Sequence, residues 1–365
     1  MSIRHLRITL LRNILDAELD PKRINLICGP NGSGKTSVLE AVYLLGSGRS
    51  FRATRLEPVI NHGAQQCTVF ASIEGQSGGA PLAMGLSRHR DGGFEGRIQG
   101  QTVRSSAELA RKLPIQLINS SAFDLLEGGP RIRRQFLDWG VFHVEQGFHQ
   151  LWMDVHRCLR QRNSLLRHAR IPTDQMEVWN LRLAESATQL DLLRHRYFEA
   201  FLPVFRSTLG ELANIDDLEL SYLRGWDKER ELHFVLEDQF ERDRDRGFTQ
   251  AGPHRADLRV RVRGMSADEV LSRGQQKLVV CAMKLAQGRL FVAASGQDCV
   301  FLVDDLPSEL DRHHRQQLCQ LLGALECQVF VSCVDAMDLD GCWDGLPEGL
   351  TKVFHVEQGR FITPD

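Results

Sequence analysis

Residues 29–36 read Gly-Pro-Asn-Gly-Ser-Gly-Lys-Thr, a complete phosphate-binding loop made of Gly29, Pro30, Asn31, Gly32, Ser33, Gly34, Lys35 and Thr36, with Ser37 behind it. A glycine-rich turn between a strand and a helix turns successive backbone N–H groups toward phosphate oxygens. The helix start adds a partial positive charge. Lys35 is placed to bridge β- and γ-phosphates, and Thr36 to set its hydroxyl on Mg²⁺. A chance glycine turn would lack the apolar run 24–28 before it and the helical pattern after it. The expected ligands are ATP and Mg²⁺.

Two further segments suit the same chemistry. The apolar run 300–303 ends in Asp304 and Asp305. A core strand holds its terminal carboxylates rigidly, so Asp304 suits a magnesium shell and Asp305 suits a base that orients or deprotonates water. A solvated acidic turn would look alike without the loop. The second segment, Ser272, Arg273, Gly274, Gln275 and Gln276, follows Leu271 and opens an apolar helix over residues 278–290. Ser272 can simply cap that helix, but a Ser-x-Gly-Gln turn at a helix start is also an anion site. The loop already cradles its own phosphates, so this second site would serve a nucleotide bound to a partner subunit.

The elements that must position these residues fall into three blocks. Leu6, Ile8 and Leu10 alternate like a strand, and residues 24–28 form a buried strand. Val38, Leu39, Val42 and Leu45 share one helix face, with Gly46 as the expected stop. Residues 67–118 read as a β meander cut by glycine pairs. The middle is different, with long charged helical patterns over 131–170, 176–212 and 230–246. Strands return after Pro253, at 257–263, 299–303 and 329–332, with a helix at about 312–325. An α/β domain, 1–124 and 250–365, is thus interrupted by a mainly helical arm, 125–249.

Composition sets the outer bounds. The 365 residues are 42% apolar and 25% charged, as in globular proteins, and a net charge of −2 excludes a uniformly basic DNA-coating protein. Nine cysteines without C-x-x-C spacing suggest neither a zinc site nor a disulfide framework. No signal peptide and no apolar run near the ~20 residues of a membrane span stand out. A cytoplasmic protein without a membrane partner is expected.

The loop, the Leu-Ser-x-Gly-Gln turn, the paired acids and Ser308-Glu309-Leu310-Asp311 occur in this order. The set resembles the ABC-type ATPase heads of SMC and Rad50 proteins. It is closer still to the bacterial RecF family, through residues 128–138, 251–255, 302–318 and the pair Arg12 and Asn13. The resemblance implies an ABC-type head with a mixed sheet core, an antiparallel β subdomain and an inserted helical arm. It also implies a nucleotide-sandwich homodimer, each ATP lying between one chain's loop and residues 272–276 of the other. Arg12 and Asn13 would sit near base and ribose, and Gln116 would sense magnesium or water. The setting implied is duplex DNA beside single-stranded gaps, with RecO and RecR helping to load RecA.

The chain departs from the family in places. Ser120 and Ser121 replace a usual proline and acid, Asp305 is a methylene shorter than the common glutamate, and Ser332, Cys333 and Asp335 stand where ABC heads often carry a histidine. The short base suggests slow turnover. Three rivals fit less well. A transporter subunit needs a shorter insertion, a P-loop phosphotransferase has no task for residues 272–276, and an SMC-like structural ATPase needs sustained heptads.

DNA contact is expected of the arm. Arg157, Arg160, Arg167 and Arg170 gather on one face of a helix whose apolar stripe is Val155, Cys158, Leu159, Leu165, Leu166 and Ala169. A row of solvated cations would give the same pattern. Arg162 falls inside the apolar stripe and requires a buried acid or an escape to solvent. Arg131, Arg133 and Arg134 are a second cationic group, suited to DNA or to bracing. No aromatic platform for single strands accompanies them, so duplex backbone is the expected target. Changing Arg157, Arg160 and Arg167 together to Ala should weaken duplex binding and reduce the log–log salt slope by roughly three. An unchanged slope in a salt titration would refute the assignment.

Overall fold

A computed structural model describes residues 2–74, 80–168 and 173–362. The chain divides into two units, one running to Ala122 and resuming at Lys277, the other Phe123–Gln276.

The first unit contains two six-stranded sheets. Across the core sheet the order is Arg360–Ile362, Thr351–Glu357, Ile24–Cys28, Gln328–Cys333, Val300–Val303 and Ile115–Ile118. Every pairing is parallel except the hairpin at the Arg360–Ile362 edge. The strands Ile24–Cys28, Val300–Val303 and Gln328–Cys333 are buried at every position, as continuous apolar runs in a covered parallel sheet must be. The second sheet is antiparallel, with Ile14–Leu19 at one edge, then Ser2–Leu11 and Gln66–Glu74 side by side. Alternation along Ser2–Leu11 places Leu6 and Ile8 in the core.

The helix Lys35–Ser47 packs against both sheets, and Val38, Leu39, Ala41, Val42, Leu44 and Leu45 are all buried. Each of the valines and leucines contributes about 1.5–3 kcal/mol through burial. Gly48 ends the helix in the left-handed region, φ 70°, returning its N–H to the Leu44 carbonyl. Gly46, the expected stop, is still helical. The meander also ends sooner than expected. After Gln101–Val103 comes a helix, Ser106–Lys112, capped reciprocally by Ser105 and Glu108. Ile115–Ile118 then joins the parallel sheet beside Val300–Val303. The Ser-x-x-Glu spacing was a legible helix start.

The second unit has the expected helices with different breaks. Pro130–Val144 and Phe148–Leu166 are separate, divided at Gly147 with φ 84°, and Thr173–Leu212 runs 40 residues with Pro203 inside it. Its strand Leu218–Leu223 pairs antiparallel with Asp257–Val262. The expected return to the head at 250 is therefore corrected. Residues 250–276 belong to the second unit, because this pairing holds them there. The helix Arg273–Ser295 begins at the end of that unit and continues into the first. Contrary to the sequence reading, it has the length and apolarity of a membrane span, and most of that stretch is buried inside the protein.

Arg162 is fully buried. It forms an ion pair with Asp243 at 2.7 Å and donates to Asn180 Oδ1 at 2.7 Å and Thr249 Oγ1 at 2.8 Å. This is the buried acid partner that its position in the apolar stripe required. Ala169 and Arg170 lie outside the described residues. Arg162→Met should leave the Asp243 carboxylate unpaired in the interior and cost about 3–5 kcal/mol in urea unfolding. Adding Asp243→Leu should recover much of that loss, and a single variant losing under about 1 kcal/mol would contradict the buried network.

Candidate functional site

The loop takes its shape from close packing beneath it. Gly29 follows the strand Ile24–Cys28 with φ 153°, and a Cβ there would come 2.2 Å from the Val356 carbonyl oxygen. Its N–H donates to the Val334 carbonyl at 3.1 Å, so the loop starts from a fixed point on the sheet. Gly32 and Gly34 also have positive φ, and Gly34 precedes the helix Lys35–Ser47. Lys35 is largely buried, with Nζ donating to the Gly29 and Pro30 carbonyls at 2.7 and 3.1 Å.

Asn13 fastens the other side of the loop. Its Nδ2 donates to the Ser33 carbonyl at 2.9 Å, and its Oδ1 accepts from the Ser37 hydroxyl at 3.1 Å. Arg12 makes a two-pronged bond to Glu40, Nε and Nη2 each 2.8 Å from a carboxylate oxygen. Glu40 lies fully buried on the loop's own helix and also accepts from Ser50. Arg12 thus lines the cavity while anchored from behind, and Asn13 shapes the loop itself. A cavity of about 1020 Å³ opens above these residues, and Asn31, Gly32, Gly34, Lys35, Thr36 and Ser37 line it.

The acids arrive from the neighbouring strand. Val300–Val303 carries Asp304 to the loop, where its Oδ1 accepts from the Thr36 hydroxyl at 3.0 Å and from the Ser332 hydroxyl at 2.7 Å. Burial pushes the Asp304 carboxyl above the usual carboxylate range, against the pull of the Ser332 and Thr36 hydrogen bonds. A cation would offset that cost. The Thr36 hydroxyl and Asp304 carboxylate are hard oxygen donors of the kind Mg²⁺ takes alongside substrate phosphates, so these residues fit the ion. Asp305 lines the same cavity with φ 55°. A non-glycine residue there carries strain of about 1 kcal/mol. Its Oδ2 accepts from the Ser308 hydroxyl at 2.6 Å, and its N–H donates to Ser332 Oγ at 2.7 Å.

Ser332 therefore bridges both acids, a role that its place in an apolar strand run concealed. Arg52, Ser120 and Glu309 also line the cavity. The first has no sequence signal, and the second was noted only as a departure from the family. Gln116 is not brought into the cavity. Its strand position opposite Phe301 turns it into the interior, where Nε2 donates to Gln287 Oε1 at 3.0 Å.

The residues 272–276 form a self-capped helix start. The Ser272 N–H donates to Gln275 Oε1 at 3.0 Å, and the Gln275 N–H to Ser272 Oγ at 3.3 Å. Ser272, Arg273, Gly274 and Gln275 are exposed, and Arg273 pairs with Glu127. Gln276 is buried, bonding the Leu271 and Asp268 carbonyls.

The cationic candidates divide. Arg131, Arg157, Arg160 and Arg167 are exposed, the last donating to the Gly247 carbonyl at 3.2 Å. Arg133 is spent on a two-pronged bond to Asp257 at 2.8 and 3.1 Å, and Arg134 on the Ala256 carbonyl at 2.7 Å. These bonds tie both side chains into the second unit, in keeping with the bracing role the sequence also allowed.

Comparison with known proteins agrees with this geometry. Residues 2–361 match the family model for the RecF/RecN/SMC N-terminal domain. DNA replication and repair protein RecF of Pseudomonas entomophila is 53% identical over 361 residues, covering 99% of this chain and 98% of that protein. RecF of Pseudomonas putida strain GB-1 matches at the same identity and coverage. Among solved structures, the recombination mediator protein RecF with ATP, from the RecFOR pathway, superposes with a TM-score of 0.86 at 23% identity, covering 99% and 96% of the two chains. An Smc head bound to the C-winged helix domain of ScpA gives 0.60 at 14% identity, covering 99% and 96%. The fold is that of ABC-type ATPase heads.

Ser332→Ala removes the bridge between the two acids without touching the loop. It removes two hydrogen bonds, one to each acid, and should lower kcat for ATP about tenfold while leaving KM nearly unchanged. Steady-state ATPase assays distinguish this from an unchanged kcat, which would remove Ser332 from the site.

Proposed function

Because the chain belongs to the RecF family of SMC-type ATPase heads, we propose that it is an ATP-switched DNA-binding protein of replication and recombinational repair. The observation that carries this reading is the pairing of a rigid nucleotide cavity with an exposed signature turn. Lys35, Thr36, Asp304, Asp305 and Ser332 converge on the cavity, while Ser272 to Gln275 stand exposed and satisfied by one another.

In this reading the loop amides and Lys35 bind the phosphates, and Thr36 with Asp304 would hold Mg²⁺, which supplies charge neutralisation at the phosphates when bound. Asp305 orients or deprotonates water. Its bond to Ser308 and its short side chain favour slow hydrolysis, which suits a timer. A second copy of the chain contributes the exposed Ser272, Arg273, Gly274 and Gln275 to each nucleotide, with the buried Gln276 holding that turn from behind, so that ATP pairs two heads. Arg131, Arg157, Arg160 and Arg167 meet duplex phosphates near single-strand junctions, and ATP hydrolysis releases the pair. The pathway named for the solved RecF structure supports RecO and RecR as partners; RecA loading as the outcome follows from the family resemblance alone. A small-molecule phosphotransferase would leave the signature turn without a task.

Sedimentation with ATP, with ADP and without nucleotide, each with and without duplex DNA, tests the reading. An ATP-specific dimer is expected, lost in Ser272→Arg. Lys35→Met should lose both dimer and turnover. A monomer under every condition that still hydrolyses ATP would overturn the sandwich.

A further inference from the structure

All nine cysteines are buried free thiols, yet they are not isolated from one another. Cys299 hydrogen-bonds Cys327, and Cys319 hydrogen-bonds Cys342. The third pair lies directly beneath the phosphate loop. Cys28 ends the strand Ile24–Cys28, Cys333 ends the parallel neighbour Gln328–Cys333, and the register sets the two residues opposite each other. Their sulfurs are 3.2 Å apart. Sequence spacing could not reveal this, since 305 residues separate the two.

We propose that Cys28 and Cys333 form a peroxide-sensitive dithiol whose oxidation to a disulfide weakens nucleotide binding in the adjoining loop. The chemistry needs one equivalent of hydroperoxide. One thiol gives up its proton, and the thiolate attacks a peroxide oxygen and breaks the O–O bond, giving a sulfenic acid and a hydroxide that takes that proton as water. The second thiol then displaces the sulfenic oxygen as a second water, and the S–S bond forms. Two sulfurs are oxidised and one peroxide is reduced. A dithiol reductant reverses the change by exchange.

The mechanical consequence follows from what the two cysteines adjoin. An S–S bond is about 2.05 Å long, so the sulfurs must close by about 1 Å. The strand Ile24–Cys28 is hydrogen-bonded on both sides and resists movement. The displacement therefore falls on the strand ends, Gly29 and Val334, which are joined by the Gly29 N–H bond to the Val334 carbonyl. Gly29 has no slack, because even a Cβ there would meet the Val356 oxygen at 2.2 Å. Ser332, which holds Asp304, adjoins Cys333 in sequence. Both cysteines are enclosed, 1% and 0% exposed, so a small oxidant is required and bound ATP should slow the reaction.

This inference rests on the nucleotide reading of the loop. The test treats the full chain with hydrogen peroxide, with and without ATP, then alkylates, maps peptides by mass and measures ATP affinity. A Cys28–Cys333 cross-link should appear in the peptide map, distinguishable from any cross-link at Cys299–Cys327 or Cys319–Cys342. Affinity should fall at least fivefold and return with dithiothreitol. Cys28→Val and Cys333→Ala should bind ATP normally when reduced and should ignore peroxide. No cross-link, a cross-link with unchanged affinity, or a loss that persists in either variant would overturn the proposal. Should a variant not fold, the map and the dithiothreitol reversal on the natural chain decide alone. Failure of the reduced chain to bind ATP would refute the nucleotide reading separately, since the cross-link map does not depend on it.

Discussion

Everything in the nucleotide-binding unit depends on one helix being buried from nearly every side. Lys35–Ser47 starts at the phosphate loop and packs against both sheets. Its first turn therefore cannot move without disturbing the core. That rigidity is what turns a glycine-rich sequence into a preorganised anion site, because the backbone donors are already aimed before a phosphate arrives. Its cost is a buried carboxylate. Glu40 sits in the middle of the helix with no access to water, and an unpaired charge there would be strongly destabilising. Arg12, Ser50 and Arg52 surround it, so the compensation for Glu40 also fixes one wall of the cavity.

The acids show the same economy on the opposite side. Asp304 is held at the end of a fully buried strand, with hydroxyls from Thr36 and Ser332 on its oxygen. Thr36 comes from the loop's helix and Ser332 from the strand between, so three elements meet at one carboxylate. Desolvation makes that carboxylate a poor isolated anion and a good partner for a cation. Asp305, one residue further on, leaves the strand in a strained conformation and bonds Ser308. The two acids thus differ in environment although they are adjacent, which suits them to different tasks.

In the second unit the charges mostly serve structure. Arg162, Arg133 and Arg194 each spend their guanidinium on buried or half-buried carboxylates, Asp243, Asp257 and Asp138. A count of arginines in this region overstates what is left for a phosphate backbone. Those on the exposed helix faces remain available, and helical periodicity separated exposed from buried positions at Arg157, Arg160 and Arg162. It had no means of separating Arg131 from Arg133 and Arg134, whose partners at 256 and 257 lie over a hundred residues away.

Contiguous sequence by itself determined the phosphate loop, the strand with its two acids, the signature turn and the helix stripes, because each is a local pattern of donors or apolar periodicity. It also carried the family resemblance, and with it the fold class. What only the tertiary structure decided is which distant residues share those sites. Ser332 and Cys333 reach Asp304 and Cys28 because Gln328–Cys333 lies between the other two strands. Gln116 points into the interior because strand register, not sequence order, selects the face. The unit boundary moved from 250 to 276 because Asp257–Val262 found its partner in Leu218–Leu223. In each case the deciding contact is a strand pairing, and long-range pairing leaves no mark in local composition or spacing.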